Sequence, residues 1–448
     1  MKNELPPGPR TPRPLQTLRW LVRPSAYMEE CTRRYGDSFS LRIANEGTWV
    51  FITDPEAVKQ VFTGDTRLLH AGEANVVLLP VLGPNSLLLL DERAHMRQRK
   101  LMLPAFHGDR LRSYTETMRL VAEEEIASWP LDRPLATRPR MQALTLEVIM
   151  RTVFGVQDEE RKRRLTETLS EVLRWGTDPR RMALGAALGP RRVIRLRLWR
   201  SVLEPADAAI YDEITAHRTA GDLAEHDDVL SLLLQARHED ESPMSDQELR
   251  DELITLLVAG HETTANSLAW ALERLVRHPN ALERLREGDD EYADAVVKET
   301  MRLRPTISIV LRKLKAPMEI GGRLLPAGVT VAPCVYLMHR RPDIYPDPYV
   351  FRPERFLEGQ GGTYTWIPFG GGVRRCLGAS FAQLEMRVVL QTLARRLDLR
   401  AADPQPERIV RRAIALSPAR GGEIIARARE REPEREAPLR DRVPMLEA

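Results

Sequence analysis

A mainly α-helical fold with small β-sheets is what this sequence predicts, on three observations. Apolar residues recur at helical spacing in one stretch after another. One of those stretches opens with a complete capping signal and runs on for about 33 residues, while the segments with strand character are few and short.

In chain order, Pro6-Pro7-Gly8-Pro9 comes first, and nothing around it approaches the roughly 20 apolar residues of a membrane span. The expectation is a cytoplasmic protein with no integral membrane segment. Residues 15–22, with Trp20 and flanking arginines, form an amphipathic segment able to graze a membrane surface. Residues 39–43 and 48–52 read as a hairpin, and amphipathic helices are predicted over 110–129, 145–154, 161–175, 207–217 and 227–238. Ser245 and Glu248 make a capping box, and Met244 with Leu249 a hydrophobic staple, so a helix starts there and runs to His278, before Pro279. At 1.5 Å per residue it spans roughly 50 Å, enough to traverse an interior. A second strand pair is predicted between residues 318–320 and 329–333, around Gly321-Gly322. From residue 426 the chain becomes alternating Arg and Glu with prolines, so 1–425 read as a single domain and 426–448 as a charged flexible tail.

Composition narrows the function class. Apolar residues make up 43% and charged residues 29%, which supports a large core. The net charge of +3 comes without a basic run interleaved with aromatics, which argues against a nucleic acid partner. Only Cys31, Cys334 and Cys376 are present, so no disulfide framework is implied; Cys31 and Cys334 read as inert packing residues.

Two motifs carry chemistry. Residues 369–378 read F-G-G-G-V-R-R-C-L-G, in which Gly370, Gly371 and Gly372 let the chain pass close under a flat ligand while Cys376 meets the start of a helix. A helix start lowers a thiol pKa and favours a thiolate ligand; the alternative is an ordinary buried cysteine. In the long helix, Ala259-Gly260-His261-Glu262-Thr263-Thr264 interrupts an apolar run over 253–259, and Leu256, Gly260, Thr263 and Ser267 share one face. That break either lines an active site or marks a kink with a threonine bonded back to a carbonyl.

The pattern of Phe369, Gly372, Arg374, Cys376 and Gly378 resembles the haem-binding loop of the cytochrome P-450 superfamily, and A-G-x-E-T-T resembles its oxygen-side helix. The resemblance extends over nearly the whole chain and looks like a soluble bacterial member. It implies the cytochrome P-450 fold, with haem b held between the long central helix and the cysteine loop. Cys376 is then the axial metal ligand, while Glu262 and Thr263 manage protons for bound dioxygen. Gly260, Phe369 and Gly378 adjoin the cofactor. His95 and Arg99, Arg312 and Arg374 take the propionates, though His95 and Arg99 read equally as a solvated basic face. Glu299, Arg302 and Arg355 form a structural charge network. Substrate contacts are implied in the largely apolar stretches 72–90, 253–259, 306–310 and 414–418.

The activity so implied is monooxygenation of a hydrophobic small molecule, by hydroxylation or epoxidation, such as a fatty acid, terpenoid or polyketide of secondary metabolism. No nucleotide or flavin fingerprint is present, so electrons are expected from a ferredoxin and ferredoxin reductase, with Lys100, Arg112, Arg375 and Arg387 as a basic docking face. A peroxygenase or isomerase on the same haem, or a non-enzymatic haem-thiolate sensor, are the alternatives.

Overall fold

Ser245 begins the element around which everything else is arranged. Its hydroxyl accepts from the Glu248 amide at 3.2 Å and the Glu248 carboxylate accepts from the Ser245 amide at 2.9 Å, which completes the capping box. The helix it caps is Asp246–Leu275 in this computed structural model, which describes residues 5–178, 181 and 188–429. With 21 of its 30 residues buried, it passes through the interior instead of lying on it.

Helices dominate the rest. Thr137–Ile149, Arg197–Ala220, Asp290–Leu303 and Ala379–Arg396 pack on the central helix, with Asp109–Ala127 against Thr137–Ile149 and Ala379–Arg396, and Glu159–Thr177 against Arg197–Ala220. Three differ clearly from the sequence reading. The helix expected over 207–217 is the middle of Arg197–Ala220, which continues through Pro205 because Trp199, Val202 and Ala206 keep its inner face buried. The one expected over 145–154 starts at Thr137, with Pro139 tolerated in the first turn, and closes in a π turn over Met150–Phe154. The segment expected over 227–238 forms only Val229–Gln235, started by the Asp228 carboxylate on the Ser231 amide.

The strands are β1 (Ser38–Ile43), β2 (Gly47–Ile52), β3 (Leu69–His70), β4 (Pro134–Ala136), β5 (Arg312–Leu314), β6 (Met318–Ile320), β7 (Arg323–Leu325), β8 (Thr330–Pro333), β9 (Leu397–Ala401), β10 (Ile409–Arg412), β11 (Ala415–Pro418) and β12 (Glu423–Ala428). They form a five-stranded sheet in the order β1-β2-β8-β5-β3 and three smaller sheets. The β1–β2 hairpin is as expected, with Leu41 opposite Trp49. The second strand pair is not: β6 pairs with β7 across Gly321-Gly322, whose φ values of 57° and 71° suit a two-residue hairpin turn. β8, buried on both faces, instead lies parallel to β2 in the middle of the main sheet.

β12 continues to Ala428, past the expected start of the tail, and pairs with β9 and β4; residues 430–448 lie outside the described residues. Cys31 and Cys334 are buried, and burial pushes both thiols up to about 12, as suits packing residues.

Candidate functional site

The cysteine loop is a compressed turn. Gly370 and Gly372 adopt φ of 67° and 63°, a conformation that a side chain disfavours, and the Cys376 amide closes the turn on the Phe369 carbonyl at 2.9 Å. The loop lies directly on Phe62, at the end of the Pro55–Thr63 helix. A Cβ on Gly371 would come within 2.1 Å of the Phe62 ring, and one on Gly372 within 1.8 Å of its carbonyl oxygen. The helix Ala379–Arg396 starts three residues after the cysteine.

Cys376 itself is exposed, yet burial pushes its thiol up, with the Gly378 amide and the Arg375 and Arg99 charges pulling the other way. The depressed thiol expected from the helix start is therefore not found in the protein alone. Both observations hold for a sulfur that is accessible on one side and surrounded by protein on the others.

Two segments each reach from the central helix to the cysteine loop. On one side, the Leu87 amide donates to Glu252 at 2.8 Å and the Asn85 amide to Asp251 at 2.9 Å, while Arg374 holds the Leu87 carbonyl at 3.3 Å and the Leu90 carbonyl. On the other, Thr306 meets Ser267 at 2.9 Å and Val310 lies 3.6 Å from where a Cβ on Gly370 would stand. Between these attachments Leu88, Leu89, Ile307, Ile309 and Val310 are only partly buried. Along the largely buried central helix, Leu256, Ala259, Gly260 and Thr263 form an open strip at positions i, i+3, i+4 and i+7, with Val258 and Glu262 partly open beside it.

The details of that strip differ from the sequence reading. A Cβ on Gly260 would meet Ile149 at 3.4 Å, so the glycine also lets a neighbouring helix approach. Ser267 is buried and donates to the Thr263 carbonyl at 2.9 Å. The Thr263 hydroxyl donates back to the Ala259 carbonyl at 2.5 Å, so the back-bonded threonine and the open strip coexist. Glu262 is turned towards the Thr137–Ile149 helix, where Arg138 pairs with it, Gln142 donates at 2.6 Å and Asn266 at 3.1 Å. His261, whose ring meets the Thr145 hydroxyl at 2.9 Å, is pushed down to about 4 by burial. Nothing in the local sequence marks Arg138, Gln142 or Thr145 for these contacts.

Three arginines and a neutral histidine gather beside the loop. Burial, then the charges of Arg374, Arg99 and Arg312, push His95 down to about 3; burial likewise lowers Arg99, and takes Arg312 and Arg374 to about 10. The carboxylate that offsets them is Asp91, 2.6 Å from Arg374. Three arginines and a histidine around one aspartate suit a ligand with carboxylates of its own. Among the described residues no group of three or more His, Cys, Asp or Glu is arranged to hold a metal ion. Cys376 therefore fits a metal that brings its other ligands with it, as haem does.

The charge network predicted around Glu299 is fully buried. Arg302 grips Glu299 through two bonds of 2.7 and 2.9 Å, and Arg355 approaches the same carboxylate at 3.2 Å, with all three side chains 0% exposed. Its link to the cysteine loop is a residue the sequence did not flag. Arg302 donates to the His339 carbonyl at 2.7 Å, and the His339 ring accepts from the Ile367 amide at 2.9 Å, two residues before Phe369. Burial holds His339 well below its usual pKa, as an acceptor ring requires.

In the expected docking face, Lys100 is paired with Glu239 at 3.2 Å and Arg387 lies 3.5 Å from Asp294, while Arg375 is exposed beside Cys376.

In comparison with known proteins, the family model for cytochrome P450 matches residues 6–425. The chain is 43% identical over 440 residues to the putative cytochrome P450 135B1 of Mycobacterium tuberculosis, covering 95% of this chain and 92% of that protein. It is 41% identical over 429 residues to the putative cytochrome P450 135A1 of the same organism, covering 94% of each. Among solved structures, retinoic acid-bound cyanobacterial CYP120A1 superimposes with a TM-score of 0.80 at 24% identity, over 95% of this chain and all of that one. The cytochrome P450DA heme domain gives 0.82 at 21% identity, over 96% and 99%. At those identities the likeness is one of fold.

Proposed function

The chain belongs to the cytochrome P450 family, whose members are haem-thiolate monooxygenases, and on that premise we propose that it hydroxylates or epoxidises a hydrophobic small molecule in the cytoplasm. A fatty acid, terpenoid or polyketide fits the aliphatic walls, with electrons drawn from a ferredoxin and its ferredoxin reductase. The observations that carry this reading are an exposed cysteine, Cys376, on a compressed glycine loop, and the partly open strip Leu256, Ala259, Gly260 and Thr263 in the largely buried central helix.

Haem b, when bound, supplies dioxygen activation and transfer of one oxygen atom to the substrate. The chain's own residues do the rest. Cys376 Sγ would hold the iron of that group as a thiolate. His95, Arg99, Arg312 and Arg374 would hold its two propionates by charge-assisted hydrogen bonds. The Thr263 hydroxyl, on the open strip, now donates to the Ala259 carbonyl and would turn its hydrogen bond to a ligand bound against the strip. Glu262, held in place by Arg138 and Gln142, would relay protons towards it. Leu88, Leu89, Ile307 and Val310 exclude water and orient an apolar substrate by shape.

The test is the visible spectrum of the reduced protein under carbon monoxide, beside that of Cys376→Ser, followed by turnover with dioxygen and reductase. A strongly red-shifted Soret band that vanishes in the variant, together with an oxygenated product, is the expected result. Well-folded, haem-loaded protein without that band would overturn the reading.

A further inference from the structure

The helix Arg13–Val22 has two apolar faces, and the fold uses one of them. Gln16 and Trp20 turn inward and are buried, with Trp20 edge-on to Trp49 and Phe51 at 5.8 and 5.5 Å. On the opposite side Leu15, Leu18, Leu21 and Val22 fall within an arc of roughly 120° at about 100° per residue. They are 44%, 56%, 47% and 65% exposed. A surface helix normally turns polar residues outward, so four outward aliphatic side chains on one short helix need a covering surface.

The charges on this helix and on the segment before it are arginines. Residues 5–28 contain Arg10, Arg13, Arg19 and Arg23 and no Asp or Glu. Arg19 meets Glu30 of the next helix at 2.5 Å and Arg13 donates to the Ile43 carbonyl at 2.7 Å, leaving Arg10 and Arg23 to the surface. The β10–β11 hairpin adds to the same edge. Arg411 stacks on the Trp20 ring at 5.3 Å and donates to the Trp20 carbonyl at 3.4 Å, and the hairpin turn carries Ile414, 48% exposed.

The geometry points to a peripheral contact with an anionic lipid surface, made by the aliphatic face of Arg13–Val22 with its arginine rim. The aliphatic side chains enter the acyl boundary and the arginines meet headgroup phosphates. A second copy of the chain fits less well, because it would bring two arginine rims together. No helix among the described residues is long and apolar enough to cross a membrane, so this contact lies on the surface. It is independent of the catalytic reading.

The experiment is sedimentation of the full-length protein with vesicles of phosphatidylcholine alone and of phosphatidylcholine mixed with phosphatidylglycerol. Binding to the mixed vesicles is expected, weakening as salt is added. The double variant Leu18→Glu, Val22→Glu should bind about tenfold more weakly or worse, and Arg10→Glu with Arg23→Glu should lose the preference for phosphatidylglycerol. All four positions are exposed, and an unchanged reduced carbon monoxide spectrum verifies the fold of each variant. Wild-type protein that stays in the supernatant, or aliphatic-face variants that bind like wild type, would overturn the proposal. So would a wild-type dimer that the Leu18/Val22 variant disperses, since the face would then belong to a second copy.

Discussion

Phe62 supports the cysteine loop from beneath, and the closeness of its ring and carbonyl to Gly371 and Gly372 leaves the loop no other position. Phe62→Ala opens a cavity there, at a cost of about 3–5 kcal/mol. The expected outcome is protein that still takes up haem but loses the thiolate-type carbon monoxide band with time, while Phe62→Leu retains it; an unchanged band in the alanine variant would show that the loop holds itself. Thr263 makes a different prediction, because its hydroxyl is not needed to close the helix. Thr263→Ala should keep consuming dioxygen while product per oxygen falls about tenfold or more, and undiminished coupling would remove its assigned role. The two residues also differ in legibility. Thr263 and Cys376 sit in short strings whose composition makes little sense for a plain helix or loop, so the sequence marks them. Phe62 is an ordinary apolar residue in an amphipathic helix, and its partner glycines lie far along the chain, so no local pattern could reveal it.

Elements were readable where their signals are local. The capping box at Ser245 and the β1–β2 hairpin follow from neighbouring residues, whereas β6 found a different partner because a Gly-Gly turn brings Arg323–Leu325 back first, and β8 was claimed by the main sheet. The Glu299 and Arg302 pair shows the same limit from the other side. Its spacing reads as a common surface ion pair, yet the helix Asp290–Leu303 buries both partners completely and passes their order to the cysteine loop through His339. Arg302→Ala leaves Glu299 with the longer Arg355 contact and strands the His339 and Pro348 carbonyls. Loss of one partner of such a buried pair costs about 3–5 kcal/mol. The variant is expected to melt earlier and to recover little haem, and Arg302→Lys should not rescue it, since an ammonium cannot reproduce the two-pronged grip. Full haem loading in the alanine variant would refute the structural role.

At the scale of the molecule, distant segments are tied between the central helix and the cysteine loop, and the ties on one side converge on buried acids of that helix. Glu252 is one: its carboxyl accepts from the Leu87 amide, it is 0% exposed, and burial pushes its pKa from 4.5 to about 8. Glu385, on the helix that follows the cysteine, is buried and raised to about 8 for the same reason. Each folded-state carboxyl keeps a proton that the unfolded chain has released above 4.5. Folding therefore binds protons in that range, and stability falls as pH rises from about 4.5 towards 8, with no further loss from these groups beyond it. Per group the slope is at most about 1.4 kcal/mol per pH unit. Glu252→Gln retains an acceptor for the Leu87 amide and cannot ionise. The difference in urea midpoint between the variant and the wild type should therefore shift in favour of the variant as pH rises through this range, the other titrating groups being common to both proteins. Parallel curves for the two proteins would mean that Glu252 is already ionised in the fold and that its hold on Leu87 is a charged one.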